Sequence, residues 1–267
     1  MFGSEIALKC AKYHDKPFFS RFGYMLSEFE QNENREYQKF IDLENQVFED
    51  ADKIIVTTKS IKSKVEKRIK KRLNKIVIVP NYVDTNLFKP QNNPVKKYDI
   101  LFVGRIVQQK NLISLLKALD TINLNALIIG NGYIRDELIS QFSHLKERIT
   151  WKKNIPNNEL PALMNQSKLF ILPSHYEGHP KILLEAMSCG MTVIGANSPG
   201  IVELIKHDIN GYLSTTDFES IRLAINKLLS KSDLQQSLGD CAREYVLNNF
   251  SLEKVVKLEY DLYSSIV

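Results

Sequence analysis

Apolar residues in the second half of the chain form short runs that are separated by amphipathic stretches. Short runs rich in such residues are typical of strands buried on both faces of a sheet. The strand candidates are 99–103, 126–129, 148–151, 169–172, 192–195 and 211–213. Helical periodicity lies between or after these runs, over 112–119, 135–142, 158–165, 182–188 and 201–205. Apolar strands that alternate with helices predict an α/β fold with a parallel, doubly wound sheet.

The first third of the chain shows the same alternation in a shorter form. Residues 1–50 favour helices around an apolar run at Pro17–Phe22, and strands are predicted at Asp52–Thr57 and Lys75–Val79. Residues 82–95 are rich in Asn and Pro without periodicity, which indicates a linker. Helical periodicity returns over 221–229, 234–248 and 250–263. We therefore predict a partial N-terminal domain at 1–84, a linker at 85–96, a complete Rossmann-like domain at 97–249 and a C-terminal helix at 250–267.

Basic residues are concentrated in one segment, Lys59–Lys75, where Glu66 is the acidic residue that opposes them. Apolar residues recur every four positions within it, at Ile61, Val65, Ile69 and Leu73. This pattern predicts a basic amphipathic helix, which suits an anionic membrane surface. A solvated helix face is the alternative. Nucleic acid is not expected as a partner, because no aromatic residues interleave with the charges.

The composition is that of an ordinary globular protein, with 267 residues, 43% of them apolar and 25% charged, and a net charge of +5. The sequence shows no apolar run of the ~18 residues that a membrane span needs, and no signal-peptide pattern. Its three cysteines have no CxxC spacing, which favours reduced thiols over disulfides or a metal site. These features predict a cytoplasmic protein.

The most informative motif runs from Glu177 to Glu185 (EGHPKILLE), between the runs 169–172 and 192–195. Two carboxylates eight residues apart thus frame a predicted helix start at the carboxyl end of a strand, where open α/β sheets bind ligands. A helix N-terminus offers N–H groups and a positive dipole end to phosphate. Because carboxylates accept hydrogen bonds from sugar hydroxyls, the motif predicts a nucleotide-sugar site. A chance pair of surface glutamates is the alternative.

Further candidate residues follow the first three strands of the same domain. Gly104 permits a tight turn, and Arg105 and Lys110 bring two cations to the sheet edge, where they are either phosphate ligands or solvated charges. Gly130 belongs to a glycine turn of either ligand-binding or purely structural type. Asn154 and Ile155 line either a base-binding slot or a simple loop. The histidines lack the spacing of a metal site, so no metal ion or other cofactor is expected.

The motifs together resemble the retaining family-4 glycosyltransferases, which have a GT-B fold. The resemblance starts near Asp50 and reaches the end of the chain. It is carried by residues at matching spacing: Gly104-Arg105…Lys110, Pro173-Ser174…Glu177-Gly178…Glu185-Ala186-Met187…Gly190, Pro199-Gly200…Glu203-Leu204-Ile205…Asn210-Gly211-Tyr212-Leu213 and Phe250-Ser251. The resemblance implies a transferase that moves a hexose, with retention of configuration, from a nucleotide-sugar to a glycan or lipid-linked glycan at the inner face of the cell membrane. Such an enzyme serves polysaccharide, lipopolysaccharide or capsule synthesis.

The resemblance also implies a role for each site residue. Arg105 and Lys110 hold the donor diphosphate, Glu177 contacts the donor sugar, and these three are the catalytic residues. Glu185 holds the ribose hydroxyls. The other donor-binding residues are Gly104, Gly130, Asn154, Ile155, Gly178, His179, Lys181, Ile182 and Leu183, and backbone amides around 179–183 complete the phosphate site. The C-terminal helix is expected to pack back on the N-terminal domain.

The N-terminal part departs from the family pattern. Family members open with a strand and a Gly-rich loop that nothing here matches, and Phe22-Gly23 occupies the place of a usual His, with Arg21 adjacent. Tyr82 stands where Gly is usual in the segment between the domains. An alternative hypothesis is therefore a donor-binding module that needs a separate N-terminal half for activity. A nucleotide-sugar epimerase of the same fold is a third hypothesis, against which the Glu177/Glu185 motif argues.

Overall fold

The computed structural model describes residues 3–69 and 73–265. Contacts divide the chain into two compact units, the first made of Met1–Asn81 with Glu253–Val267 and the second of Tyr82–Leu252. Residues 85–96, predicted as a linker, therefore belong to the second unit.

The first unit contains a three-stranded parallel sheet in the order β1-β2-β3. Its strands are β1 (Phe19–Phe22), β2 (Lys53–Val56) and β3 (Ile76–Ile78). The helices between them are α1 (Ser4–Tyr13), α2 (Leu26–Asn32), α3 (Gln38–Asp50) and α4 (Lys59–Arg68). Each strand is three or four residues long, and β2 and β3 are dominated by apolar, β-branched residues, as expected for strands covered by helices.

The second unit is built on a six-stranded parallel sheet in the order β6-β5-β4-β7-β8-β9. Its strands are β4 (Tyr98–Val103), β5 (Ala126–Ile129), β6 (Ile149–Lys152), β7 (Ser167–Leu172), β8 (Thr192–Ala196) and β9 (Tyr212–Ser214). Its helices are α5 (Leu112–Asp120), α6 (Arg135–Gln141), α7 (Leu160–Asn165), α8 (Lys181–Ser188), α9 (Phe218–Leu229) and α10 (Ser232–Asn249). The last helix, α11 (Leu252–Ser264), belongs to the first unit from Glu253 onwards. The predicted α/β fold with a parallel, doubly wound sheet is confirmed.

Side chains of the large sheet alternate between two buried cores. Leu101 and Val103 of β4 join one core with α8 and α10, and Ile100 and Phe102 join the other with α5 and α9. In the first unit, β2 alternates in the same way. Ile54 and Val56 pack towards α3, whereas Ile55 packs with Val255 and Leu262 of α11. Because both faces of each sheet are covered, the ligand-accessible regions lie at the ends of the strands.

Two predicted helices differ in the structure. No helix forms at 201–205, where turns follow Gly200 instead. The Asn210 side chain closes this turn, because it accepts from the Lys206 N–H and donates to the Leu204 carbonyl, which ends the helical pattern. The basic segment predicted as one helix over Lys59–Lys75 is helical over Lys59–Arg68, with a separate 3-10 turn at Leu73–Lys75. Lys70, Lys71 and Arg72 lie outside the described residues.

Several basic side chains of this segment make internal contacts. Arg68 donates to the buried Glu44 carboxylate, to Asn45 Oδ1 and to the Ile41 carbonyl, and its guanidinium stacks on the Phe48 ring. Lys64 pairs with Glu28, and the buried Lys75 donates to the carbonyls of Glu49 and Ala51. Among the described residues of this segment, the structure therefore leaves a smaller basic surface than the sequence predicts. Among the described residues, no helix is long and apolar enough to cross a membrane.

Candidate functional site

The strand order of the large sheet reverses between β4 and β7. The chain continues from β4 to β5 and β6 on one side and then returns to β7, β8 and β9 on the other. The segments that leave β4 (residues 104–111) and β7 (residues 173–180) therefore start from adjacent strand ends and diverge. Such a switch point opens a crevice at the carboxyl edge of a parallel sheet, and ligands bind there. Both segments carry site residues predicted from the sequence.

Lys110 and Glu177 meet across this switch point. The Lys110 Nζ atom lies 2.5 Å from Glu177 Oε1, and the two side chains are 11% and 9% exposed. Burying either charge alone would be costly, so each partner compensates for the other. The pairing brings together two residues that are 67 positions apart in the sequence. A cation that can bind phosphate and a carboxylate that can bind hydroxyls thus lie side by side.

Arg105 follows Gly104 on the same segment and is exposed. Its Nη2 atom lies 3.4 Å from Gln109 Oε1. Guanidinium presents five N–H donors in a planar fork, which suits bidentate contacts with a diphosphate. Arg105 and Lys110 therefore supply two cations to one crevice.

The backbone around Glu177 is fixed by the turn at 198–200. The Glu177 N–H donates to the Pro199 carbonyl at 2.9 Å. Gly200 has φ +81°, and a Cβ atom there would lie 2.3 Å from the Glu177 carbonyl oxygen. Glycine is required at this position both for its backbone conformation and for this close approach.

Helix α8 starts at Lys181 directly after this segment, and its N-cap Pro180 provides no side-chain cap. The N–H groups of the first helical turn lack intrahelical partners, so they can receive an anion. The backbone amides around 179–183 were predicted to bind phosphate, but the Leu183 N–H is already used, because it donates to the Pro180 carbonyl at 3.1 Å. Of the neighbouring side chains, His179 packs on Phe250 and the Lys181 ammonium lies over the Tyr82 ring. Ile182 packs against the core beneath the helix.

Glu185 lies one turn further along α8 and is 4% exposed. Burial raises the pKa of its carboxyl, and this effect exceeds the opposing influence of the Lys181 charge and of a hydrogen bond with the Asn157 side chain. Desolvation disfavours the charged form of a carboxyl group. A buried carboxyl with a neighbouring amide can receive hydroxyl groups from a ligand.

A cavity of about 370 Å³ opens at the carboxyl ends of β4, β5 and β6. Five predicted residues, Gly104, Arg105, Gly130, Asn154 and Ile155, line it, together with Val103, Ile129, Asn131, Lys153 and Leu160. Its size lies in the range of small-molecule sites. Gly130 also has a steric role, because its φ is +153° and a Cβ atom there would lie 1.8 Å from the Gly104 carbonyl oxygen.

Some residues of the site were not predicted from the sequence. Gln109 and Asn111 flank Lys110 and are buried, Asn157 contacts Glu185, and Lys153 lines the cavity. Asn111 could have been identified from its place directly before the helical periodicity at 112–119, because Asn is a preferred N-cap residue. Gln109 and Asn157 have partners far along the chain, which sequence patterns do not reveal. Among the described residues, no group of three or more His, Cys, Asp and Glu side chains could hold a metal ion.

Comparison with known proteins shows which family this chain resembles. The family described as "Glycosyl transferases group 1" matches residues 83–245. The UDP-Gal:alpha-D-GlcNAc-diphosphoundecaprenol alpha-1,3-galactosyltransferase of Escherichia coli is 30% identical over 218 residues, covering 72% of this chain and 55% of that protein.

Solved structures share the fold. That of Anabaena Alr3699/HepE in complex with UDP and glucose has a TM-score of 0.87 at 18% identity, covering 98% of this chain and 75% of that one. Sucrose-phosphate synthase from Thermosynechococcus elongatus has a TM-score of 0.83 at 21% identity, covering 94% of this chain and 68% of that one. The predicted GT-B-like architecture is thereby confirmed.

The chain spans about half the length of the curated relatives it matches, with values of 55%, 44% and 57% for three of them. The family match covers the strands and loops that form the crevice and the cavity, from β4 to α10. The chain therefore belongs to the glycosyl transferases group 1 family.

Proposed function

We propose that this chain is a glycosyltransferase that moves a hexose from a nucleotide-sugar to a glycan or lipid-linked glycan, with retention of configuration. The observation that carries the proposal is the Lys110–Glu177 pair at the switch point. Lys110 belongs to the segment after β4 whose residues Gly104 and Arg105 line the cavity, and Glu177 precedes the start of α8 by four residues. Phosphate-binding and hydroxyl-binding groups therefore occur in one crevice, as a nucleotide-sugar requires.

Each part of the donor has a group that suits it. The cavity bounded by Gly130, Asn154 and Ile155 accommodates the base, and Glu185 accepts the ribose hydroxyls. Arg105, Lys110 and the first-turn amides of α8 hold the diphosphate. Glu177 accepts a hydroxyl of the hexose. In the unliganded protein Lys110 and Glu177 neutralise each other, and the donor replaces this contact with one partner for each.

The reaction breaks the bond between the sugar C1 atom and the diphosphate oxygen. Negative charge grows on the leaving diphosphate, and Arg105, Lys110 and the α8 dipole stabilise it, which is the type of contribution that is usually largest in enzymes. The acceptor hydroxyl oxygen forms the new bond to C1 on the face that the diphosphate leaves. Its proton passes to the departing phosphate oxygen. These protein cations supply the charge that a metal ion supplies elsewhere, so we propose that no metal is needed.

One relative supports a lipid-linked acceptor. The name of the Escherichia coli relative gives alpha-D-GlcNAc-diphosphoundecaprenol as its acceptor. By analogy we propose that this chain works in cell-surface polysaccharide synthesis at the cytoplasmic face of a membrane. Lys59 and Lys67 remain exposed on α4 and contribute a basic surface for peripheral contact with anionic lipid.

Calorimetry with UDP, GDP and ADP tests donor binding directly. Arg105→Ala should weaken binding of the preferred nucleoside diphosphate by about 1.5–3 kcal/mol, the contribution of a hydrogen bond to a charged group. The control is Lys146→Ala, which removes an exposed cation just before β6, at the opposite edge of the same sheet. An unchanged dissociation constant in Arg105→Ala, or equal losses in both variants, would refute the assignment.

A further inference from the structure

We propose that Gln109 and Asn111 are positioning residues that hold the segments carrying Lys110 and Glu177 at one fixed separation for sugar transfer. The proposal rests on the proposed function and adds to it two residues that need not touch the donor. Both flank Lys110 in the sequence, and they are 6% and 3% exposed. Buried polar side chains are costly unless they are hydrogen-bonded, so their partners are informative.

Gln109 connects three parts of the crevice. Its Nε2 atom donates to the Tyr176 carbonyl at 2.7 Å, and its backbone carbonyl accepts from the His175 N–H at 2.9 Å. Its Oε1 atom accepts from Arg105 Nη2 at 3.4 Å. One residue therefore orients the Arg105 guanidinium and fixes the two residues that directly precede Glu177.

Asn111 makes a second connection on the other side of Lys110. Its Nδ2 atom donates to the Pro173 carbonyl at 3.1 Å and to the Thr216 carbonyl at 2.8 Å. Pro173 follows the end of β7, and Thr216 lies just beyond β9. Asn111 adopts a left-handed backbone with φ 52° at the start of α5, a conformation that Asn tolerates better than most residues.

These contacts form a series along the segment that leaves β7. Pro173, His175 and Tyr176 are each bonded to Gln109 or Asn111, and Glu177 comes next. The segment has no helix or strand of its own. Its carbonyls would otherwise need water or another partner. Loss of either side chain would remove some of these hydrogen bonds, although Lys110 and Glu177 themselves are not mutated.

Gln109→Met tests the first connection, because Met is similar in length and lacks the amide. The backbone bond to His175 survives in this variant. The control is Gln108→Met, which makes the same chemical change at an exposed neighbour. With a hexose donor of the nucleotide that calorimetry shows to bind best, we expect Gln109→Met to lower kcat about tenfold to hundredfold, because small misplacements of reacting groups have effects of this size. The Kd for the corresponding nucleoside diphosphate should change by less than about threefold, the scale of one weak hydrogen bond.

Asn111→Gly tests the second connection, because glycine keeps the left-handed backbone and removes both side-chain hydrogen bonds. The control is Asn93→Gly, since Asn93 is exposed and has φ 48°. In a Glu177→Gln background, Gln109→Met and Asn111→Gly should have little further effect on kcat. Such non-additivity is expected for residues that act through Glu177, and a purely structural role would not produce it.

Amide hydrogen exchange of the peptide covering 173–180 provides a readout that needs no activity. It should accelerate in Gln109→Met and Asn111→Gly and stay unchanged in the two controls. Unchanged exchange in both test variants would overturn the proposed connections. Faster exchange with wild-type kcat would overturn the positioning role. An inactive wild-type chain that binds no nucleotide would refute the proposed function instead, while exchange would still decide whether the connections exist.

Discussion

Glu185 shows how burial and ligand binding can oppose each other at one residue. Burial raises the pKa of its carboxyl above the ordinary value of 4.5. Between 4.5 and the raised pKa, the folded state therefore binds more protons than the unfolded state, so stability falls as pH rises through that window. Above the raised pKa the full cost of burying the ionised carboxylate is present.

We predict that Glu185→Gln raises the free energy of unfolding at neutral pH and has less effect below pH 4.5, where both states carry a neutral carboxyl. The same variant should weaken nucleotide binding, because an amide is a poorer acceptor for ribose hydroxyls than a carboxylate. Urea unfolding across pH and calorimetry measure the two effects. Glu159→Gln, at an exposed carboxyl nearby, is the control and should change neither. A destabilised Glu185→Gln variant at neutral pH would contradict this prediction.

Many of the site residues that the sequence predicts follow strands, whereas Lys181, Ile182, Leu183 and Glu185 lie on α8. Gly104, Arg105, Asn154 and Glu177 were predicted because every carboxyl end of a parallel sheet faces the same edge. The pairing of Lys110 with Glu177 was not predicted, since it depends on β4 and β7 being neighbours in the sheet. Asn157 was missed for the same reason, because its partner is on α8.

For strands and helices, the accuracy of the predicted bounds depends on whether the sequence itself shows where the element stops. The strand at 126–129 was predicted with its observed bounds, and the other strands of the large sheet lie within two residues of theirs. Buried apolar runs between polar loops define such strands. The basic segment was predicted as one helix because periodicity alone cannot show that Ile69 is extended or that Arg68 is bound to Glu44.

The turn at 198–200 supports Glu177 directly, because the Pro199 carbonyl accepts from the Glu177 N–H. Gly200→Ala should destabilise the protein by about 2 kcal/mol or more, because the residue has φ +81° and a Cβ atom would clash with the Glu177 carbonyl. Turnover should fall further than stability alone explains. Gly23→Ala is the matched control, since a Cβ atom at Gly23 meets nothing within 4 Å. Chemical unfolding and donor kinetics provide the measurements, and equal behaviour of the two variants would refute the steric argument.

At the scale of the whole molecule, the net charge of +5 is unevenly distributed. The structure narrows the candidate lipid-binding surface on α4, because Lys64 and Arg68 pair with Glu28 and Glu44. Arg68 should therefore stay intact in any test of membrane contact, since its loss would leave the Glu44 carboxylate buried without its charge partner.

The membrane prediction concerns the exposed Lys59 and Lys67 together with the half-buried Lys62, whose Nζ atom lies 3.9 Å from Glu66 Oε1. Their replacement by Gln should reduce binding to vesicles that contain phosphatidylserine, because each basic residue near an anionic surface contributes about 1 kcal/mol. Binding of the wild type should weaken with salt. Replacement of Lys117, Lys146 and Lys231 removes the same charge from exposed positions of the second unit and is the control. Equal losses in the two triple variants would show that net charge, and not this surface, attracts the lipid.

The charge balance of the reaction leads to the last prediction. A nucleoside diphosphate leaves as a polyanion, and Arg105, Lys110 and the N-terminus of α8 form a cationic environment around the crevice. If these groups are sufficient, an excess of EDTA should leave donor binding and turnover unchanged. Lys110→Ala, in contrast, should lower kcat about a hundredfold or more, the scale of removing one preorganised electrostatic contact. Loss of turnover in EDTA that Mg²⁺ or Mn²⁺ restores would show that the protein cations do not suffice and that a metal ion takes part.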